Sequence, residues 1–264
     1  MSKFVSSCVL TVLSASAMFA APVRADGKPN TPPTGWSFVL GAGGLYAPDY
    51  EGSDDYEARG LPYVRVQYAD WLSLSVPEGL KLSLVNADGF RAGVLAGYRF
   101  DRDASDNVAL AGWGDIDGTA ELGAFAEYKF DAIRLAVDLR QGLSDDTGLQ
   151  ATASARYETR VAGARVSIGP QVTWVDDNYS QTYFGITAAQ AAASTLGYAP
   201  YESSGGVKSY GLGASAMVPL DDQWSLTAIT SVNQLTGDAA DSPIVAAEGA
   251  DTQFTVGLFA GYRF

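Results

Sequence analysis

The sequence predicts an all-β protein that crosses a membrane as an antiparallel up-and-down β-barrel. Three observations predict this fold. Apolar and polar residues alternate along many segments, aromatic residues gather at the segment ends, and short connections alternate with long ones. Alternation also occurs in soluble β-sandwiches, so the aromatic residues and the connections are what favour a membrane barrel.

The predicted elements follow an amino-terminal leader, Met1–Ala25, which we interpret as a cleaved signal peptide. Lys3 supplies a positive start, and the next residues carry no charge until Arg24. Small residues before the junction suit a signal peptidase that cuts between Ala25 and Asp26. A membrane anchor is the alternative, but serine and threonine residues dilute the apolar run.

A short tail separates this leader from the barrel domain. Residues 26–35 contain Pro29, Pro32 and Pro33, a composition typical of extended chain, and we expect them to form a periplasmic tail. The barrel domain is predicted over residues 36–264.

The alternation is clearest between residues 119 and 130. Side chains of successive strand residues point to opposite faces, so one face of this segment is apolar and the other is mostly polar. The apolar face contains Ala120, Leu122, Ala124, Ala126, Tyr128 and Phe130. Residues 133–140 repeat the pattern after a turn at Asp131 that is tight enough for a hairpin.

Twelve such segments are predicted as strands, each spanning strand needing roughly 9–11 residues. They are 36–46, 58–69, 71–76, 79–85, 89–100, 118–130, 132–142, 148–160, 162–175, 206–219, 223–236 and 252–264. The hairpin at 71–85 is short, so ten strands are the alternative if it does not span. Both counts are even, so both would place the two ends of the chain on the periplasmic side.

Aromatic residues at the segment ends predict an interfacial girdle on the side of the short turns. The girdle residues are Trp36, Tyr68, Trp71, Tyr128, Tyr157 and Trp224. A second rim, on the side of the long loops, would contain Tyr46, Tyr98 and Trp174. We therefore expect outer-membrane lipid around the barrel wall.

Charged residues of both signs are predicted to line the lumen. They are Arg65, Arg91, Arg99, Glu121, Glu127, Arg134, Asp138, Arg140, Arg156, Glu158 and Arg165. In one interpretation they form cross-strand ion pairs that stiffen and block a narrow barrel. In the other they form an arginine-biased constriction that passes small anions. Strand register decides between the two, so both stay open at this point.

Composition excludes several classes of function. The chain has no histidine, which removes Ser–His–Asp triads, Cys–His pairs and imidazole metal sites. Its one cysteine, Cys8, lies in the predicted leader. A formal net charge of −13 argues against nucleic-acid binding, which needs clustered basic residues. We expect a protein that is not an enzyme and has no cofactor or metal.

The long loops contain one predicted helix and two weak site candidates. Thr187 and Gln190 form a capping-box pattern that predicts a short helix over Ala188–Leu196. Asp115 and Asp117 could form a carboxylate pair, although Asp-Gly spacing is equally typical of a turn. Asp101, Asp103 and Asp106 resemble a calcium loop but have the wrong spacing for it.

The carboxyl-terminal residues Tyr262-Arg263-Phe264 resemble the sorting signal that the bacterial barrel-assembly machinery reads. The match is partial, because the glycine of that signal is displaced to Gly257. Five further segments, in this order and spacing, resemble the MltA-interacting protein (MipA/OmpV) family. They are Gly35–Tyr46, Pro48–Asp54, Gly114–Gly118, Tyr183–Ile186 and Ala240–Val245.

This resemblance implies a barrel in the outer membrane of a Gram-negative bacterium. It also implies a scaffold that links a lytic transglycosylase to a murein synthase. A small-solute pore with a preference for anions is the alternative function, and a surface adhesin that uses the acidic loops is the third.

Overall fold

The computed structural model describes residues 35–76 and 78–264. The predicted signal peptide, its cleavage site at Ala25 and Asp26, and residues 26–34 of the predicted tail lie outside the described residues. Over the described residues, twelve antiparallel strands form one closed barrel. No helix in this part of the chain is long and apolar enough to cross a membrane.

The strands confirm the predicted fold class. Their bounds are β1 Trp36–Pro48, β2 Tyr56–Tyr68, β3 Leu72–Ser75, β4 Gly79–Ala87, β5 Phe90–Arg99, β6 Thr119–Phe130, β7 Ile133–Gly142, β8 Leu149–Val161, β9 Ala164–Val175, β10 Gly206–Pro219, β11 Trp224–Leu235 and β12 Thr252–Arg263. Each strand pairs with its neighbours in sequence, and β12 closes the barrel against β1.

The short hairpin of β3 and β4 is part of the wall, so the count is twelve rather than ten among the described residues. β3 has four residues and pairs with β2 only over Arg65–Tyr68. β4 is longer and pairs with β5 from Leu80 to Ala87. The connection between β3 and β4 therefore lies within the height of the barrel rather than above it.

The two faces of each strand differ as the alternation predicts. Leu122 on β6 points outward and is 53% exposed, whereas the adjacent Glu121 points into the lumen and is 5% exposed. A transmembrane barrel needs this arrangement, because lipid solvates apolar side chains and the interior must satisfy polar ones.

Turns and loops separate to opposite ends of the barrel. At one end, which we call the short-turn rim, the connections are residues 69–71, 88–89, 131–132, 162–163 and 220–223. Asp131 has a φ of 49°, as the tight hairpin between β6 and β7 requires. The loops at the other end are longer, and they contain all the described helices.

Four α-helices lie in these long loops of the described chain: α1 Asp177–Phe184, α2 Ala188–Ala193, α3 Gly237–Asp241 and α4 Pro243–Ala246. The capping box at α2 is confirmed, since Gln190 N donates to Thr187 Oγ1 at 3.2 Å and Thr187 N donates to Gln190 Oε1 at 2.8 Å.

The predicted end of α2 at Leu196 was wrong, because the helix ends at Ala193. Ser194 is extended, with φ −63° and ψ 129°. The carbonyl group of Ala193 packs directly against Gly112 of another loop, so the chain turns away there. The other three helices were not predicted.

Candidate functional site

The middle of the lumen is crossed by an ion pair that joins distant strands. Lys81 Nζ on β4 lies 2.9 Å from Asp138 Oδ1 on β7 and 3.3 Å from Glu127 Oε1 on β6. Strands β5 and β6 separate Lys81 from Asp138 along the wall, so this contact passes through the interior. Lys81 is only 5% exposed.

A second group of ion pairs lies toward the long loops. Arg99 Nη2 contacts Glu121 Oε1 at 2.6 Å, and Arg140 Nη1 lies 3.3 Å from Glu121 Oε2. Arg99 also donates to the backbone carbonyl group of Thr147 at 2.7 Å. One carboxylate thus holds two guanidinium groups between β5 and β7.

A third group lies toward the short-turn rim. Arg134 Nε contacts Glu158 Oε1 at 2.7 Å, and Arg134 Nη1 contacts Glu127 Oε2 at 3.1 Å. Lys129 reaches the same Glu158 at 2.7 Å, and Arg91 lies 3.9 Å from Glu127. Ion pairs therefore connect the charged side chains of the β4–β8 wall from the long loops to the short-turn rim.

Two of the predicted lumen residues, Arg156 and Arg165, form no ion pair with a described residue. Arg156 donates to Gln171 Oε1 at 2.6 Å and to the carbonyl group of Gly169. Arg65 on β2 and Arg165 on β9 lie near the short-turn rim instead.

Sequence reasoning missed Lys81, which is the centre of the network. Lys81 stands between Leu80 and Leu82, so the alternation alone places it on the inner face. It was overlooked because its segment was too short to be a secure strand.

An apolar cluster lies on the opposite wall of the lumen. Val39, Leu61, Tyr63, Ile229 and Phe259 form one buried cluster on β1, β2, β11 and β12. The rings of Tyr63 and Phe259 stack with their centroids 5.6 Å apart. A water-filled channel would leave lumen side chains accessible, whereas these are buried. The interior is therefore filled by apolar packing on one side and by ion pairs on the other.

The long loops fold together over the mouth of the barrel, and we call this layer the cap. Its core contains Tyr50, Leu110, Phe184, Ile186 and Ile244, all almost completely buried. Ser242 Oγ donates to the carbonyl group of Phe184 at 2.6 Å, and Tyr50 Oη donates to that of Ile244 at 3.2 Å. Burial, followed by the charge of Asp49, raises the pKa of Tyr50.

A buried polar cluster connects the cap to the lumen. Lys208 Nζ lies 2.7 Å from Glu51 Oε1 and donates to Tyr179 Oη at 2.9 Å, while Tyr179 Oη donates to Glu51 at 3.2 Å. The guanidinium group of Arg99 lies 4.7 Å from the centre of the Tyr179 ring. Burial and Glu51 raise the pKa of Tyr179 well above its usual value. The cap is thus tied to the ion pairs below it.

The weak site candidates lie on the outer side of the cap. Asp115 Oδ1 accepts a hydrogen bond from the backbone N–H of Ala104 at 2.8 Å, a contact across the loop between β5 and β6. Asp115 and Asp117 line an outward-facing pocket of about 650 Å³ with Arg102 at its wall. Burial lowers the pKa of Arg102 to about 10. Asp103 and Asp106 have carboxyl pKa values raised by partial burial and by neighbouring aspartates.

The aromatic residues of both rims point outward in pairs. Near the short turns, the rings of Trp36 and Tyr68 lie 4.7 Å apart, and those of Trp224 and Tyr262 lie 5.2 Å apart. The remaining predicted girdle residues, Trp71, Tyr128 and Tyr157, are exposed on the same outer surface, as are Tyr46, Tyr98 and Trp174 near the long loops. Phe264 of the predicted sorting signal is exposed beside Tyr262.

Comparison with known sequences places this barrel among outer-membrane proteins. A family model described as MltA-interacting protein MipA matches residues 40–264. Outer membrane protein Omp26La of Vibrio anguillarum is 26% identical over 64% of this chain and 63% of its own length. OmpV of Vibrio cholerae is 24% identical over 69% of this chain and 66% of its own. The chain covers less than two thirds of either relative.

Two solved structures of outer-membrane proteins show weak similarity to this barrel. An outer membrane channel of Pseudomonas putida F1 has a TM-score of 0.44 and 15% identity, covering 90% of this chain and 100% of that one. OprD of Pseudomonas aeruginosa has a TM-score of 0.37 and 16% identity, covering 86% of this chain and 65% of that one.

Proposed function

The chain belongs to the MltA-interacting protein MipA family, and on that basis we propose that it is a scaffold of the outer membrane without enzymatic activity. Its partners in this proposal are a lytic transglycosylase of the MltA type and a murein synthase. The barrel anchors these enzymes at the periplasmic face of the outer membrane. The barrel-assembly machinery inserts the barrel into that membrane.

The observation that carries this proposal is the filled lumen. An anion-preferring pore, the alternative from the sequence, needs water beside the lumen arginines. Arg99, Arg134 and Arg140 instead contact buried carboxylates, and the cap covers the mouth. A rigid, closed barrel is well suited to act as an anchor for other proteins, because ion pairs and packed side chains hold its shape.

The short-turn rim is the side on which the proposal places the partner. Gly35 is fixed to this rim, since its carbonyl group accepts a hydrogen bond from Ala69 N at 3.2 Å. Residues 26–34 are therefore joined to the chain at the rim. A stable interface buries roughly 800 Å² on each partner, more than turns of two to four residues supply alone. We propose that residues 26–34 and the rim bind the transglycosylase together.

Deleting Asp26–Thr34 tests this placement. We expect the deletion to reduce capture of a purified MltA-type transglycosylase by about tenfold, the equivalent of roughly 1.4 kcal/mol of lost binding. Pull-down with the protein purified from outer membranes measures the captured fraction. A deletion of the α2 segment, residues 188–193, is the matched control, because α2 lies on the opposite side and should leave capture unchanged. Unchanged capture without Asp26–Thr34 would remove the tail from the interface.

A further inference from the structure

Four arginines meet at the end of the lumen beside the short-turn rim, opposite the cap. We call this opening the arginine mouth. Arg160 on β8 stands directly opposite Arg165 on β9. On the other wall, Arg263 of β12 and Arg65 of β2 flank Val39 of β1 in one row of the barrel. The charge of Arg165 interacts with those of Arg160, Arg65 and Arg263 and with that of Glu158, so the two pairs lie within electrostatic reach of each other across the mouth.

Three of these arginines have no partner in direct contact among the described residues, and Glu158 acts on Arg165 only over a longer distance. Arg160, Arg165 and Arg263 form neither an ion pair nor a side-chain hydrogen bond there, and Arg263 Nε is buried without an acceptor. The acid beside them, Glu158, already binds Lys129 and Arg134. Like charges directly opposite on neighbouring strands destabilise a sheet. The fold therefore tolerates an unfavourable contact at this mouth.

The surplus of positive charge is local. Farther up the lumen, Lys81, Arg99 and Arg140 each contact a carboxylate, and the whole chain has a formal net charge of −13. Three guanidinium groups without a contacting carboxylate among the described residues, in such a chain, favour binding of an anion supplied from outside.

The position of the cluster limits which ligands can reach the arginines. The four side chains belong to the lumen face of their strands, so headgroups of the surrounding lipid are on the wrong side of the wall. Arg165 and Arg263 are half-buried, so the ligand must be narrow enough to enter the mouth. Planar guanidinium groups bind carboxylates through paired hydrogen bonds, and available arginines on two facing walls suit a ligand with more than one carboxylate.

We propose that this arginine mouth binds a short peptide with two or more free carboxylates, the chemistry of the stem peptides of murein. The proposal rests on the proposed function, because that function turns the short-turn rim toward the murein layer. It adds a contact with murein itself to the contact with murein enzymes. A folded acidic protein surface fits less well, since the half-buried arginines favour a thin chain.

Calorimetric titration of the purified barrel with murein tetrapeptide tests the proposal. We expect binding that weakens with added salt and that falls about tenfold or more in Arg160→Gln/Arg165→Gln. The charge-retaining variant Arg160→Lys/Arg165→Lys should lose much less. Thermal stability of the glutamine variant should equal or exceed that of wild type, because the substitution removes a like-charge pair. Lost binding would then not reflect lost folding.

Any one of three results would overturn the proposal. They are unchanged binding in the glutamine variant, equal binding of a peptide with amidated carboxylates, and binding of triglutamate without binding of the murein peptide. The last result would assign the mouth to an acidic protein segment. Because no transglycosylase is present in the titration, its failure would leave the scaffold proposal to be judged by the pull-down.

Discussion

Replacing Lys81 with methionine is expected to lower the free energy of unfolding by about 3 kcal/mol, the lower end of the cost of breaking a buried ion pair. The substitution keeps most of the side-chain length but removes the charge between Asp138 and Glu127. Asp138 would retain only Arg140 at 3.7 Å, a weaker contact. Denaturant unfolding of the barrel in detergent micelles measures the change.

Lys129→Met is the matched control for this experiment. The Lys129 side chain is 39% exposed, and its partner Glu158 keeps Arg134 after the substitution. An exposed pair of this kind contributes about 1 kcal/mol or less. Equal losses in the two variants would show that Lys81 does not hold the lumen together.

Replacing Phe184 with alanine is expected to open the cap without unfolding the barrel. Phe184 is 0% exposed and packs in the core formed by the long loops. Removing a buried phenylalanine side chain costs about 3–5 kcal/mol, and the cap has no strand ladder to compensate for that loss. We expect limited proteolysis to cut the long loops at least tenfold faster in this variant, while β1 to β12 stay protected.

Leu196→Ala is the control in the same loop region, because Leu196 is 41% exposed. Its proteolysis should match that of wild type. Protection of the loops in Phe184→Ala would contradict a cap that depends on its buried core.

The strands could be predicted because each has its own periodic signal. β8 alternates over ten residues and β6 departs from alternation only at Phe125, so their faces follow from sequence alone. β3 was uncertain because four residues contain too few alternations to distinguish a strand from a turn. The structure resolves that uncertainty through pairing with β2, a contact between segments that local periodicity does not encode.

The ion pairs and the cap core show the limit of sequence reasoning. Lumen charges such as Arg134 and Glu158 could be assigned to a face, but their pairing depends on register between strands. Tyr50, Leu110 and Ile244 lie in three different loops with no shared period, so their common core was not predicted. Of the helices in these loops, α2 was predicted, from the capping box at Thr187.

Planar-bilayer conductance of the purified barrel tests the closed lumen most directly. The structure predicts that inserted wild-type protein passes no steady current, because Lys81, Glu121 and their neighbours are buried and the cap covers the mouth. A conducting porin inserted under the same conditions verifies the membrane, and heat-modifiable migration of the sample verifies folding. Steady, anion-selective openings from folded wild-type protein would contradict the account and restore the pore as its function.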